Sequence, residues 1–147
     1  MSETTVPVAP TTPSASVAPA PRHRRALLAL RGLQVLLALF FGVASALPKL
    51  IAHPSAVESF DRIGWGAPGM YAIGLLELAG AVALLIPALQ TPGAAGLAAL
   101  MVGAFITQLT VFDGENAVTP VIVFVLLAVI AWVRRGSVVG LAGMSRR

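Results

Sequence analysis

Glu77 is the residue whose placement asks for chemistry. It sits near the middle of YAIGLLELAGAVALLIP, residues 71–87, a stretch otherwise almost wholly apolar. About eight residues separate it from the outer end of its helix, a depth of roughly 12 Å at 1.5 Å per residue. In a hydrocarbon layer about 30 Å thick that is near the centre. An isolated charge there costs at least a few kcal/mol, so the carboxyl must carry a proton or find a donor. The donors on offer are few. Lys49 lies at the outer end of the preceding apolar segment and Gln108, with Thr107 and Thr110, in the outer half of the following one. Arg31 lies at the inner end of the first segment. Lys49 and Gln108 are expected ahead of Arg31, because the outer halves converge better on Glu77. Such a cluster either clamps helix register or serves protons, a quinone or another substrate.

The rest of the chain narrows the chemistry. Its 147 residues contain no cysteine, which removes disulfides, thiolate nucleophiles and Cys-ligated metal clusters from this chain. Only two histidines occur, His23 and His53, and they fall on opposite sides of the expected membrane. A bis-His haem or multi-His metal site is therefore not expected, and Asp113 with Glu115 reads as a solvated acidic turn. No Walker motif, GxGxxG or catalytic Ser/His pattern is present. The net charge of +4 comes from basic residues gathered at segment ends, without basic stripes or interleaved aromatics. It is a topology signal and not a nucleic-acid footprint.

The elements that must position Glu77 follow from composition. Hydrophobic residues make up 57% of the chain and charged ones 11%, too few charges to cover a water-facing domain. Four apolar segments, 26–47, about 69–89, 93–112 and 117–133, have spanning length. Backbone groups in lipid must be satisfied internally, so an all-α, antiparallel four-helix bundle is expected. Residues 1–21, with five prolines, read as a disordered tail, 22–135 as the membrane domain and 136–147 as a short basic cytoplasmic tail. Arg22, Arg24, Arg25 and Arg31 at one end and Arg134, Arg135, Arg146 and Arg147 at the other put both termini in the cytoplasm. The arginine-rich start and the Ala44-Ser45-Ala46 run imitate a signal peptide. The apolar run is long for one, and Pro48 follows closely, so it reads as a retained helix. QTP at 90–92 and DGEN at 113–116 are the two short turns. Tyr71 and Trp132 are the expected interfacial anchors.

In the long outer connection, HPSAVESFDRIGW (53–65) combines Ser55 and Glu58 in capping-box spacing with Val57, Phe60 and Ile63 at helical spacing. It predicts a short amphipathic helix on the outer surface, an interfacial connector or a lid over the bundle mouth. Small residues at four-residue spacing supply packing faces: Ala38, Gly42 and Ala46; Ala95, Ala99 and Gly103; Ala79 and Ala83 with Gly80. They serve the bundle or a homo-oligomer.

Several of these stretches together resemble the DoxX-like family. They are Lys49-Leu50, FDRIGWGAPG (60–69), IGLLELAGAVALLIP (73–87) and GAAGLAALMVGA (93–104), and the resemblance covers about residues 32–133. It implies a small four-helix protein of the bacterial inner membrane. Some members are linked to oxidoreductases that pass electrons from sulfur compounds to quinone, others to oxidative-stress complexes of the membrane. The family's acidic position in the second helix maps onto Glu77 and its lysine after the first helix onto Lys49. The implied function is a subunit of a quinone-linked redox complex, with a redox protein as partner. A non-enzymatic scaffold or assembly protein and a small proton-coupled transporter are the alternatives.

Overall fold

A computed structural model describes the backbone of residues 21–144 and the side chains of residues 24–135. The expected tail 1–21 lies outside it except for Pro21, and the side chains of the expected basic tail 136–147 lie outside it too. The described residues form helices and no strand. The first spanning helix has three parts: α1 (Pro21–Leu39), a π segment (Phe40–Ala46) and α2 (Leu47–Leu50). After it come α3 (Pro54–Ile63), α4 (Gly66–Leu85), α5 (Gln90–Val111) and α6 (Val118–Met144). Among the described residues, four stretches are long and apolar enough to span a membrane: Arg24–Leu50, Gly66–Leu85, Gln90–Val111 and Val118–Arg135. The protein is a multi-pass integral membrane protein, in contact with the lipid bilayer.

The π segment is the main local departure from expectation, which ended the first helix before Pro48. Proline lacks the N–H that would bond the Ala44 carbonyl, and in an α-helix its ring collides with that carbonyl. Widening the turn relieves the collision. The Leu47 N–H donates to the Gly42 carbonyl, five residues back, as in a π turn. The helix thus passes through Pro48 and carries Lys49 on its last turn.

The other boundaries also have local causes. Ile86 precedes Pro87 and is extended (φ −91°, ψ 117°), because a residue before proline is disfavoured in the α region. This ends α4 at Leu85, so residues 86–89 form the turn, and QTP becomes the first turn of α5 with Gln90 buried. At the α5–α6 turn, Asp113 and Gly114 both have positive φ (52° and 78°). The backbone of α6 runs on to Met144, past the expected end at 133. No proline follows Arg135, and Val138, Val139 and Leu141 resume the apolar pattern.

The amphipathic helix is present as α3, but Ser55 is not its cap. His53 is the N-cap, its Nδ1 accepting from the Ser55 N–H at 3.4 Å, with Pro54 in the first turn. Proline is favoured at the first helical position, which moves the start of the helix back from the Ser55–Glu58 box. Phe60 is buried, and Arg62 lies over the Phe112 ring at 4.9 Å. The helix therefore lies across the ends of α4 and α5. It closes on Gly64 at φ +82°, where an added Cβ would touch nothing within 4 Å. Gly64→Ala is expected to cost about 1 kcal/mol, from left-handed strain alone. Thermal unfolding in detergent measures it, and an unchanged midpoint would refute it.

The core lies in the basic half of the bundle. Phe41, Leu84, Leu97, Leu127 and Ile130, from all four spanning helices, are the largest fully buried apolar side chains of that cluster, and Met70, equally buried, lies apart from it toward the other end of α4. Many other large apolar residues are exposed, among them Leu36, Leu75, Ile106 and Val118. In water such a surface would be untenable; against lipid it is solvated. The small-residue stripes divide. Ala38 and Ala46 are buried, and Gly42 faces Ala81. Ala95, Ala99 and Gly103 instead face outward, and α5 packs through Gly93, Ala94, Leu97, Ala98 and Met101. The periodicity identified an available stripe, but the adjacent one fits α4, with Gly93 against Ala83 and Leu97 against Gly80.

Candidate functional site

On α4 a single stripe is buried: Met70, Gly74, Glu77, Ala81 and Leu84, at alternating steps of four and three. That spacing keeps one face of a helix against its neighbours. Glu77 stands in its middle, 4% exposed, about 16 Å along the helix from Gly66. The partners come from the first spanning helix, which runs antiparallel beside it. Lys49 Nζ donates to Glu77 Oε2 at 2.8 Å, and Ser45 Oγ donates to Glu77 Oε1 at 2.9 Å. Lys49 Nζ also donates to Ser45 Oγ at 3.1 Å and to the Ser45 carbonyl at 2.9 Å.

These contacts close a ring. The ammonium has three N–H groups and three acceptors. The Ser45 hydroxyl accepts from Lys49 and donates to Glu77, and each carboxylate oxygen accepts once. The pair is largely removed from solvent, with side-chain exposures of 17% for Lys49 and 5% for Glu77. Charge-assisted bonds of this length in a low-dielectric setting are strong, and the ring gives a proton a continuous path between ammonium, hydroxyl and carboxylate.

Local structure makes the ring possible. The π segment carries Ser45 and α2 carries Lys49, and both side chains meet Glu77. Gly74, one turn before Glu77, lets the two helices close: a Cβ there would stand 3.0 Å from Lys49 Cβ and 3.2 Å from Leu50 Cδ2.

Of the residues singled out from sequence, Glu77 and Lys49 are brought together and Gln108 and Thr107 are not bonded to them. Thr107 Oγ1 donates to the Gly103 carbonyl of its own helix at 2.9 Å. Gln108 Oε1 is buried without a partner. Arg31 is remote from Glu77 and donates through Nη2 to the Leu85 carbonyl at 3.1 Å, where a cation suits a helix C-terminus. Sequence reasoning missed Ser45, taken there as part of a cleavage-site imitation. Its signal was the four-residue spacing to Lys49. It also missed Gln34, fully buried on α1, whose Oε1 accepts from Arg134 Nη2 at 3.3 Å. Gln34 Nε2 and Arg134 Nε are buried without partners.

The family model described as the DoxX-like family matches residues 32–143, which takes in the whole ring and three complete spanning helices besides most of the first. The chain belongs to the DoxX-like family. This DoxX-like protein thus carries its buried ion pair within the matched region, on the first and second spanning helices. No curated protein and no solved structure matches the chain.

Proposed function

We propose that this DoxX-like protein is a membrane subunit of a quinone-linked redox complex, seated in the bacterial cytoplasmic membrane with both termini inside. The observation that carries the reading is the closed ring of Lys49, Ser45 and Glu77 deep in the bundle. Ionisable groups within spanning helices are expensive, and those retained there commonly serve ion or proton chemistry. The donor set suits a quinone carbonyl: Lys49 is more exposed than Glu77 and offers N–H groups, one of which would leave the Ser45 carbonyl to meet it. A bound quinone would accept two electrons and two protons. The electrons would come from a redox partner protein, and the two protons from Lys49 Nζ in turn, reprotonated from solvent between the two steps, since Lys49 is only partly buried. Lys49 holds a proton at Nζ beside the carbonyl. Glu77 balances the ammonium charge, and Ser45 passes protons between them.

The test is the quinone content of protein purified directly into lipid nanodiscs, by solvent extraction and mass spectrometry. The wild type is expected to carry about one quinone per chain or per complex, and Glu77→Gln to lose most of it together with quinone-linked turnover. Quinone at background in both would overturn the reading.

A second reading is favoured by one feature of the ring: every polar atom in it already has a partner in this chain, over a glycine seat shaped for Lys49. That is the build of a clamp fixing α2 against α4 in a non-enzymatic scaffold. Under it, Glu77→Gln changes thermal stability and leaves partner-linked turnover intact.

A further inference from the structure

We propose that the groove between α1 and α4 is a binding site for one anionic phospholipid, with its phosphate at Arg31 and an acyl chain along the groove. The groove, about 160 Å³, is lined wholly by apolar side chains and a glycine: Val35, Ala38 and Gly42 on the first spanning helix, Leu78, Val82 and Leu85 on α4. Val35 to Gly42 is seven residues, or about 10 Å along the axis. No polar atom of these side chains is available to hold a headgroup, so the groove suits a hydrocarbon chain and nothing else of the ligand.

One end is marked by charge. Arg31 is exposed, one helical turn from Val35 on the same face of α1. Its Nη2 donates to the carbonyl of Leu85, a lining residue, so the guanidinium bridges the two walls at the groove's mouth. A guanidinium has five N–H donors in a fixed fork, and one bond to a carbonyl leaves others for phosphate oxygens. Arg24, two turns further toward the basic end on the same face, is also exposed. A phosphate at this mouth with a chain running toward Gly42 has the orientation of a lipid in the leaflet at the basic end of the bundle. A phospholipid is favoured over a free phosphate because charge and apolar groove are continuous, and over a neutral lipid because the mouth is cationic.

Native mass spectrometry of the full chain, released from nanodiscs of mixed phosphatidylglycerol and phosphatidylcholine, tests this. The wild type is expected to keep one phosphatidylglycerol in preference to phosphatidylcholine. Arg31→Gln should weaken that retention about fivefold, as expected for one cation near an anionic surface. Arg135→Gln removes the same charge from α6, which lines no part of the groove and where the guanidinium lies 3.6 Å from the centre of the Trp132 ring, and should leave retention unchanged. Val35→Trp fills the groove from an exposed position and should abolish retention without touching the core. An equal fall in the two arginine variants, equal retention of the two lipids, or unchanged retention in Val35→Trp would each overturn the site. Should Arg31→Gln fail to fold, Val35→Trp decides alone. An isoprenoid lipid retained in place of phosphatidylglycerol and lost in Val35→Trp would also overturn it.

Discussion

Lys49→Met is expected to destabilise the bundle by about 3–5 kcal/mol, the cost of stripping one partner from a buried ion pair. The variant leaves the Glu77 carboxylate, 4% exposed, with only the Ser45 hydroxyl to stabilise it. The methionine side chain keeps nearly the length of lysine, so lost packing over Gly74 is small and lost charge compensation dominates. The double variant Lys49→Met/Glu77→Gln should regain most of the loss, because it removes both charges and keeps a group that can accept from Ser45. Replacing a whole buried pair by neutral groups is often near neutral, while breaking it is not. Thermal midpoints in one detergent, for the wild type, Lys49→Met, Glu77→Gln and the double variant, form the cycle. A coupling of less than about 1 kcal/mol would mean that the pair contributes little to holding α2 on α4. The same set separates the two functional readings. A stable double variant that has lost quinone places the ring in binding, whereas a stable double variant that keeps full turnover leaves only the clamp.

The second large effect is expected at Gly93. A Cβ there would stand 2.6 Å from Ala83 Cβ, and the Ala83 and Gly80 backbones lie within 3.4 Å. Neither neighbour has a rotamer to yield, so Gly93→Ala must push α4 and α5 apart. Overpacking of this kind costs about 1–3 kcal/mol, and the upper end is expected because the opposing atoms are Cβ and main chain. Gly93→Ala/Ala83→Gly should recover a large part, since it returns the clashing methyl. Gly80→Ala makes an instructive contrast. Its Cβ would meet Leu97 Cγ at 2.5 Å, a closer approach but to a side chain. Leu97 is 1% exposed, so it can move only by disturbing the core. Gly96→Ala and Gly103→Ala meet nothing within 4 Å and serve as controls; in helices they should be neutral or slightly stabilising. Equal midpoints for Gly93→Ala and Gly103→Ala would refute the close approach of α4 and α5.

Much of this was legible without coordinates. Apolar runs of spanning length, short turns and arginines at both ends determine four antiparallel spanning helices, because lipid tolerates few other ways of satisfying a backbone. The carboxylate at 77 is conspicuous for the same reason, and the cost of its burial made Lys49 a partner worth naming. The buried stripe of α4 was not readable in the same way: the small residues pointed to Ala79, Gly80 and Ala83, whereas Met70, Gly74, Glu77, Ala81 and Leu84 are buried and Ala79 is exposed.

What tertiary structure decided was how each partner is delivered. Pro48 reads as the end of a helix, yet a widened turn carries the chain through it and brings Ser45 and Lys49 to one carboxylate. Pro48 by itself does not reveal that, because a proline can end a helix or widen its last turn, and only the meeting of Ser45 and Lys49 with Glu77 across the bundle shows what the wide turn delivers. Pairing Gln108 with Glu77 follows from the ends of the apolar segments, but Leu97 packs against Gly80, which sets α5 residues near 100 opposite Glu77 and leaves Gln108 about two turns further along. The α5 stripe of Ala95, Ala99 and Gly103 has the spacing of a packing face and still points outward. Which of two adjacent stripes a helix buries depends on the shape opposite, here Ala83 against Gly93 and Leu97 against Gly80. Periodicity is a property of one helix, while complementarity belongs to two.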